Sequence, residues 1–147
     1  MSVTVSVTPL AKQQVAGLRR ADRASYDQFL QELRSQGCKA LGYRLTGHIV
    51  EHLCVKHLAR ALRVVVSFTD EDEATVILVG PHDDDDPHMD VYTMLYTLAG
   101  LERPPQGERK KPPCCSAEDG LPPLADQDLV DHLVTESRNL TRPRRRR

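Results

Sequence analysis

The stretch richest in potentially reactive side chains is residues 79–92, in which His82 and His88 flank the four consecutive aspartates Asp83 to Asp86. Imidazole and carboxylate groups are ligand types that suit zinc, manganese and calcium. The spacing matches no calcium-binding loop, because there is no D-x-D-x-D-G run with a glutamate at the twelfth position. Consecutive aspartates on a turn also point in different directions and cannot all converge on one ion. We therefore expect a solvated turn that leads into a helix cap, with no metal and no other cofactor.

Cysteine is the second residue type that could bind a metal or react. Cys38 and Cys54 stand alone in the sequence and Cys114 is adjacent to Cys115, so no C-x-x-C pair indicates a zinc site or a redox-active dithiol. Adjacent cysteines rarely bridge each other, because a disulfide needs well separated Cα atoms. We expect four free thiols.

Charge is unevenly distributed along this 147-residue chain, which is long enough for one domain with its own core. Residues 1–63 contain ten Lys/Arg against four Asp/Glu, a net charge of +6, whereas residues 64–103 contain one against ten, a net charge of −9. A basic first part is compatible with an anionic partner, and the acidic part argues against a surface uniformly coated with nucleic acid. No stretch approaches the roughly 18 apolar residues of a membrane span, and the start shows no secretory pattern. We expect a cytoplasmic protein without a membrane partner.

The N-terminal elements that precede these residues read as one strand and two helices. Residues 3–7 alternate as in a strand, and Thr8-Pro9 supplies an N-cap with a first-turn proline, so a helix should run from there to about Arg20. Asp22 can cap a second helix, in which apolar residues recur at positions i, i+3, i+4 and i+7 before Gly37 ends it.

The middle of the chain is rich in strand-forming residues. The runs 52–58, 61–69 and 74–80 read as strands, and the "DEDE" of residues 70–73 reads as a hairpin turn. Alternation in "LRVVVSF" places Leu62, Val64, Val66 and Phe68 on one apolar face, with Arg63 at the beginning of the other face.

Asp86-Pro87 repeats the cap-then-proline signal, so the last helix of this part should start there and end at Gly100. The predicted order is β-α-α-β-β-β-α. It indicates an α+β fold in which helices pack on a mainly antiparallel sheet.

Composition changes near Glu102, so we predict a folded domain over residues 1–101 and a different segment over 102–147. Six prolines among residues 102–124 predict an extended, largely disordered linker. A short amphipathic helix is possible over 125–138. The final "RPRRRR" suits either an arm that contacts phosphates or a solubilising terminus.

Several motifs together resemble the RelE/ParE superfamily of type II toxins over residues 3–100. These are the order of elements, "GYRLTG" entering the sheet, "LCVKHL", the arginine that begins the next strand in "ALRVVVSF", and "VILVGPHD" followed by "DVYTML". The resemblance implies a small RelE-like domain and a cognate antitoxin that wraps it with a segment folding on binding. In the ribonuclease branch it implies cleavage of mRNA on the ribosome, by metal-independent attack of a 2′-hydroxyl on the adjacent phosphate.

The resemblance also assigns roles to individual residues. Arg63 matches the basic residue near the start of the central strand, Lys56 matches a lysine on the preceding strand, and Tyr92 matches the tyrosine of the last helix. His82 stands where active ribonucleases usually have arginine or lysine, and it could act as an acid or a base near neutral pH. Cys54 stands where another lysine is expected. The expected catalytic residues are thus Arg63, His82, Tyr92 and Lys56, and the expected substrate-binding residues are Lys39, Arg44 and Arg60.

Structural alternatives stay open for these residues. Arg63 and Lys56 can be exposed cations on a sheet face, Tyr92 can be a packing residue, and His57 can be an ordinary strand residue. Three other functions also stay open. One is a catalytically inactive binding or regulatory module, which the acidic half, Cys54 and His82 support. The others are a ParE-like gyrase inhibitor and a metal-binding protein.

Overall fold

The structure is a computed structural model that describes residues 2–46, 50–83, 90–102 and 111–141. The predicted Asp86-Pro87 helix start, His88 and the terminal "RPRRRR" lie outside these residues.

The N-terminal elements form largely as predicted. Strand β1 (Thr4–Val7) is followed by helix α1 (Pro9–Ala16) and helix α2 (Arg20–Gln36). Thr8 is the N-cap of α1, as predicted, and its hydroxyl accepts a hydrogen bond from the Ala11 amide at 3.1 Å. The prediction for α2 was wrong at its start: Arg19 occupies the N-cap position, and Asp22 lies inside the first turn, where its charge favours the positive end of the helix dipole.

Four further strands complete one sheet. They are β2 (Tyr43–Arg44), β3 (Leu53–His57), β4 (Leu62–Asp70) and β5 (Glu73–Pro81). The spatial order is β1-β5-β4-β3-β2, in which β1 runs parallel to β5 and the other neighbours are antiparallel. Asp70 pairs with Glu73, so the predicted hairpin turn is confirmed.

Helices α3 (Val91–Leu98) and α4 (Gln127–Thr141) follow the sheet, which confirms the α+β class. The described residues form four α-helices and a mixed five-stranded sheet. This order differs from the predicted one by the two-residue strand β2 and by the last helix. None of the described helices has the length and apolar character needed to cross a bilayer.

The two faces of the sheet carry separate cores. Leu62, Val64, Val66 and Phe68 of β4 lie in one core with Tyr26, Phe29 and Leu33 of α2, as the alternation predicts. Val65 lies in the other core, together with Leu95 of α3 and Leu133 of α4. The face that carries Val65 also carries the side chains discussed below.

The C-terminal segment is better ordered than the sequence suggested. The predicted short helix is present as α4, with Leu133 fully buried. The Ser137 hydroxyl accepts a hydrogen bond from the Leu10 amide at 2.9 Å, and the Ala125 amide donates to the Phe68 carbonyl at 2.8 Å. The expectation of an extended, largely disordered segment was therefore wrong for residues 111–141. Burial of the apolar stripe of α4 against the sheet outweighs the low intrinsic order of the proline-rich sequence before it.

The expectation of four free thiols was also wrong. Cys38 is bridged to Cys115 and Cys54 to Cys114, with Cα–Cα distances of 5.5 and 5.7 Å. The adjacent pair Cys114–Cys115 does not bridge itself; each member reaches a different part of the domain. Two bridges therefore fasten the C-terminal segment to β3 and to the 3-10 helix Gly37–Ala40.

Candidate functional site

Five polar side chains from five elements meet at one end of the sheet. They are Tyr43 of β2, His57 at the end of β3, Arg63 at the start of β4, His82 directly after β5, and Tyr92 in the first turn of α3. We call these five residues the tyrosine–histidine cluster.

Strand register brings the cluster together. His57 and Arg63 are cross-strand partners, and Arg63 also pairs with Gly80, two residues before His82. The His82 amide donates to the Ala61 carbonyl at 2.8 Å, which fixes the chain as it leaves β5. Residues two apart on a strand share a face, so these side chains point to the same side of the sheet as Val65.

A continuous run of hydrogen bonds links three members of the cluster. The Tyr43 hydroxyl lies 3.0 Å from His57 Nε2 and 2.9 Å from the Tyr92 hydroxyl. The rings of Tyr43 and His57 also make an edge contact, with centroids 5.3 Å apart. The three side chains are therefore linked directly to one another.

The pKa shifts indicate the protonation of two members of this run at neutral pH. Burial, followed by the positive charges of Arg63 and Lys111, lowers the pKa of His57 below its usual value of 6.5, so the ring is neutral at neutral pH and can accept a proton. Burial and the hydrogen bond to Tyr43 raise the pKa of Tyr92 far above its usual value, although the charge of Arg63 opposes this. Tyr92 thus keeps its proton. Either hydroxyl can donate in the contact between Tyr92 and Tyr43, and the tautomer of His57 decides which partner donates between Tyr43 and His57.

His82 is held by a buried carboxylate. Its Nδ1 lies 2.9 Å from Oδ1 of Asp90, and its ring meets the edge of the Tyr92 ring at 4.9 Å. Burial raises the pKa of Asp90, but the hydrogen bonds from His82, Thr93 and Asp83 outweigh this effect and leave it below its usual value. An ionised carboxylate only accepts hydrogen bonds, so Nδ1 of His82 is the donor in this contact and Nε2 is turned away from Asp90.

Asp90 is the residue that fixes this side of the cluster. It is fully buried and is the N-cap of α3, and it accepts from the Thr93 amide at 2.9 Å and the Asp83 amide at 2.8 Å. Together with the contacts from His82 and the Thr93 hydroxyl, these bonds to one carboxylate join the end of β5 to the start of α3. The start of α3 observed here lies at Asp90 and Val91, four residues beyond the predicted cap at Asp86.

Arg63 is the permanent cation within the cluster. Its Nη1 donates to the carbonyls of Arg60 and Leu62, both at 3.3 Å, and these bonds hold the side chain against the turn between β3 and β4. Its Nε is buried and has no hydrogen-bond partner within the described part of the chain. A buried donor of this kind is suited to an anionic oxygen of a ligand.

Three of the four expected catalytic residues meet in this cluster, and Lys56 does not. Lys56 pairs with Val64, whose side chain belongs to the core on the α2 side, so the lysine points to the opposite face of the sheet. His57, the next residue, takes the position on the cluster side. A one-residue offset on a strand reverses the face, and the alignment of patterns could not resolve that offset.

The three expected substrate-binding residues have different surroundings. Arg44 holds the C-terminal segment: its Nε donates to the Pro113 carbonyl at 3.2 Å and its Nη2 to the Cys114 carbonyl at 3.1 Å. Arg60 is exposed in the turn between β3 and β4 with a left-handed φ of 56°. Lys39 is exposed on the 3-10 helix Gly37–Ala40, and no contact within the described residues connects it with the cluster.

Lys111, from the C-terminal segment, also reaches the cluster. Its Nζ lies 5.2 Å from the centroid of the Tyr43 ring.

Sequence reasoning missed Lys111, Tyr43 and Asp90 and gave little weight to His57. The only local signal was for Asp90, where a threonine three residues later can complete the helix cap. Neither the pairing of His57 with Tyr43 nor the position of Lys111 could be read from sequence spacing.

Metal ligation finds no support in the ranges that the structure covers, where no group of three or more His, Cys, Asp or Glu side chains is arranged to hold an ion. Most of the aspartate run, Asp84 to Asp86, lies outside those ranges. In comparison with known proteins, no family model matches the chain, and no match to it is found among curated proteins.

Proposed function

We propose that this protein is a RelE-like toxin of a type II toxin–antitoxin system, and that it cleaves mRNA on the ribosome by attack of a 2′-hydroxyl on the adjacent phosphate. The observation that carries the proposal is the run from Tyr92 through Tyr43 to a neutral His57, directly beside Arg63. Such a reaction requires a general base, a general acid and a cation, and the two imidazoles and Arg63 can supply them, while the two tyrosines offer rings on which a base can stack.

Each group has a role in the proposed reaction. In the neutral tautomer whose Nε2–H donates to Tyr43, His57 has Nδ1 free and takes the proton of the 2′-hydroxyl there as the hydroxyl oxygen bonds to phosphorus. Arg63 stabilises the negative charge that develops on the phosphoryl oxygens. The bond from phosphorus to the 5′-oxygen breaks, which leaves a 2′,3′-cyclic phosphate on one product. Protonated His82 gives its Nε2 proton to the leaving 5′-oxygen, since Asp90 holds its Nδ1. Tyr43 and Tyr92 keep His57 oriented and offer aromatic surface to a base.

The direct experiment uses purified ribosomes programmed with an end-labelled mRNA. We expect the wild-type protein to produce fragments that end in a 2′,3′-cyclic phosphate, and His57→Gln to lower the cleavage rate by about 10²–10⁴-fold, the usual contribution of a general base. Lys56→Ala is the matched control, because it removes a cation one residue away on the opposite face. Absence of cleavage by the wild type, or equal losses in both variants, would contradict the proposal.

A catalytically inactive binding module is the second candidate. It is favoured by the bonds that Tyr43, His57 and Tyr92 make to one another, because a purely structural network would have the same pattern. Induction of the wild type and of Arg63→Ala in a bacterial host separates the two functions. Growth arrest by the wild type alone supports the enzyme, and equal growth of both strains supports the module.

The proposal includes a cognate antitoxin as partner and the cytoplasm as the place of action. The two disulfides weigh against a permanently reducing compartment, where such bridges are rare. Alkylation of the cysteines in intact cells, followed by mass spectrometry, tests this part of the proposal directly.

A further inference from the structure

Lys111 brings a second permanent cation to the tyrosine–histidine cluster from a distant part of the chain. Its Nζ lies 5.2 Å from the centroid of the Tyr43 ring, and the hydroxyl of that ring bonds to both His57 and Tyr92. The lysine side chain is exposed, and His57 is exposed as well. Lys111 therefore stands at the rim of the cluster and does not cover it.

The cluster itself contains one permanent cation, Arg63. A strand of RNA carries a negative charge at every nucleotide, so binding it around one reactive phosphate requires cations beside its neighbours. Lys56, which the sequence suggested for this purpose, points to the other face of the sheet. Lys111 lies on the correct side.

The segment that carries Lys111 is fastened at several points directly after it. The Arg44 amide donates to the Pro112 carbonyl at 2.8 Å, and the Arg44 guanidinium donates to the carbonyls of Pro113 and Cys114. Cys114 and Cys115 are then bridged to Cys54 and Cys38. Because the backbone directly after Lys111 is held in this way, part of the backbone entropy of placing the lysine is already lost before a ligand binds.

We propose that Lys111 is a substrate-binding residue that contacts a phosphate of single-stranded RNA, and that Arg44 is a positioning residue acting through it. Because RNA is taken as the ligand, this assignment rests on the proposed function. It changes the expected role of Arg44 from direct substrate contact to support of the segment that supplies the contact.

The test measures binding of a short RNA with 2′-O-methyl groups, which cannot be cleaved, by fluorescence anisotropy over a range of salt concentrations. We expect Lys111→Ala to weaken binding several-fold at low salt and to reduce the slope of log Kd against log salt by about 0.7, the value for one phosphate contact on a single strand. Lys56→Ala removes the same charge from the opposite face and should leave the slope unchanged. Equal effects of the two variants would overturn the assignment. Tighter binding by Lys111→Ala would also overturn it, because the lysine would then block access to Tyr43.

A double-mutant cycle tests the role given to Arg44. If it acts through Lys111, Arg44→Ala weakens binding in the wild type but adds little in the Lys111→Ala background. Additive losses would show that Arg44 contacts RNA itself and would overturn its positioning role.

The outcomes also separate this assignment from the proposed function. A wild type that binds RNA with a Lys111-dependent salt slope but does not cleave supports the assignment and contradicts the enzyme. A wild type that cleaves, with His57→Gln inactive and Lys111→Ala unchanged in both binding and cleavage, supports the enzyme and overturns the assignment.

Discussion

Removal of one disulfide tests the architecture of the C-terminal segment most directly. The bridges span 77 residues for Cys38–Cys115 and 60 residues for Cys54–Cys114. If either bridge acted alone, loop entropy in the unfolded chain would give it about 4 kcal/mol of stabilisation. The two loops are not independent, however, because both pass through the adjacent residues 114 and 115.

Once one bridge is closed, the other closes only a short loop. That loop runs from residue 38 to 54, crosses the existing bridge and returns through 114 to 115, about 17 residues in all, which corresponds to about 3 kcal/mol. We therefore expect removal of either bridge to cost about 3 kcal/mol and removal of both to cost about 7 kcal/mol. The second removal should cost more than the first.

Urea unfolding of the oxidised protein measures these costs. The variant with both Cys38→Ala and Cys115→Ala removes one bridge, Cys54→Ala with Cys114→Ala removes the other, and intact mass after alkylation verifies the bridge that is left. Under reducing conditions neither protein has a bridge, so the difference in the free energy of unfolding between each variant and the wild type gives the effect of replacing the cysteine side chains alone. If each single removal lowers the free energy of unfolding by more than half of the loss in the double removal, the shared-loop reasoning is refuted. Complete alkylation of the cysteines in the non-reduced wild type would refute the bridges themselves.

Three further predictions concern the core, the helix cap and pH. Leu133→Ala should lower the free energy of unfolding by about 2–5 kcal/mol because the side chain is fully buried, whereas Leu140→Ala, at 52% exposure on the same helix, should have little effect. Equal small effects in urea unfolding would mean that α4 does not pack on the sheet. Asp90→Ala should lower the free energy of unfolding by about 3 kcal/mol, because it removes a helix cap and leaves donors at the start of α3 unpaired. Asp128→Ala in the exposed first turn of α4 serves as its control. The pKa of His57 is lowered in the folded protein. The neutral ring therefore contributes to the stability of the fold, and can act as a base, above pH 6.5. Both effects are lost as the pH falls through the folded-state pKa of His57. Lys111→Gln removes one of the charges that lower this pKa and should move the acidic limb of the cleavage profile to higher pH; an unmoved limb would contradict the electrostatic contact.

Periodic segments of the sequence were sufficient to predict most of the framework. The alternation in β4 identified the correct faces for Leu62 and Arg63, and Thr8-Pro9 identified the start of α1. Such signals are local, because each is produced by neighbours within one or two turns or one strand. Strand β2 has only two residues, too few for any periodicity, and its Tyr43 was missed for that reason.

Long-range relations were beyond the reach of the same reasoning. The cysteine pairs are 60 and 77 residues apart, and nothing in their spacing distinguishes bridges from thiols. The choice between Lys56 and His57 depends on a one-residue register, which reverses the face of every side chain in a strand. The choice of Asp90 as a cap depends on contacts with His82 and Asp83, directly after β5, which form only in the folded chain.

The parallel pairing of β1 with β5 has a consequence for the synthesis of the protein. Thr4 pairs with Glu73, so the first strand to be made waits for a partner encoded 69 residues later. At typical translation rates that interval lasts about 3–14 s, far longer than the formation of a helix. We expect α1 and α2 to form while β1 still has an unpaired edge, and β1 to join the sheet only after the β4–β5 hairpin has been made. The oldest strand of the nascent chain is then secured later than the two helices that follow it.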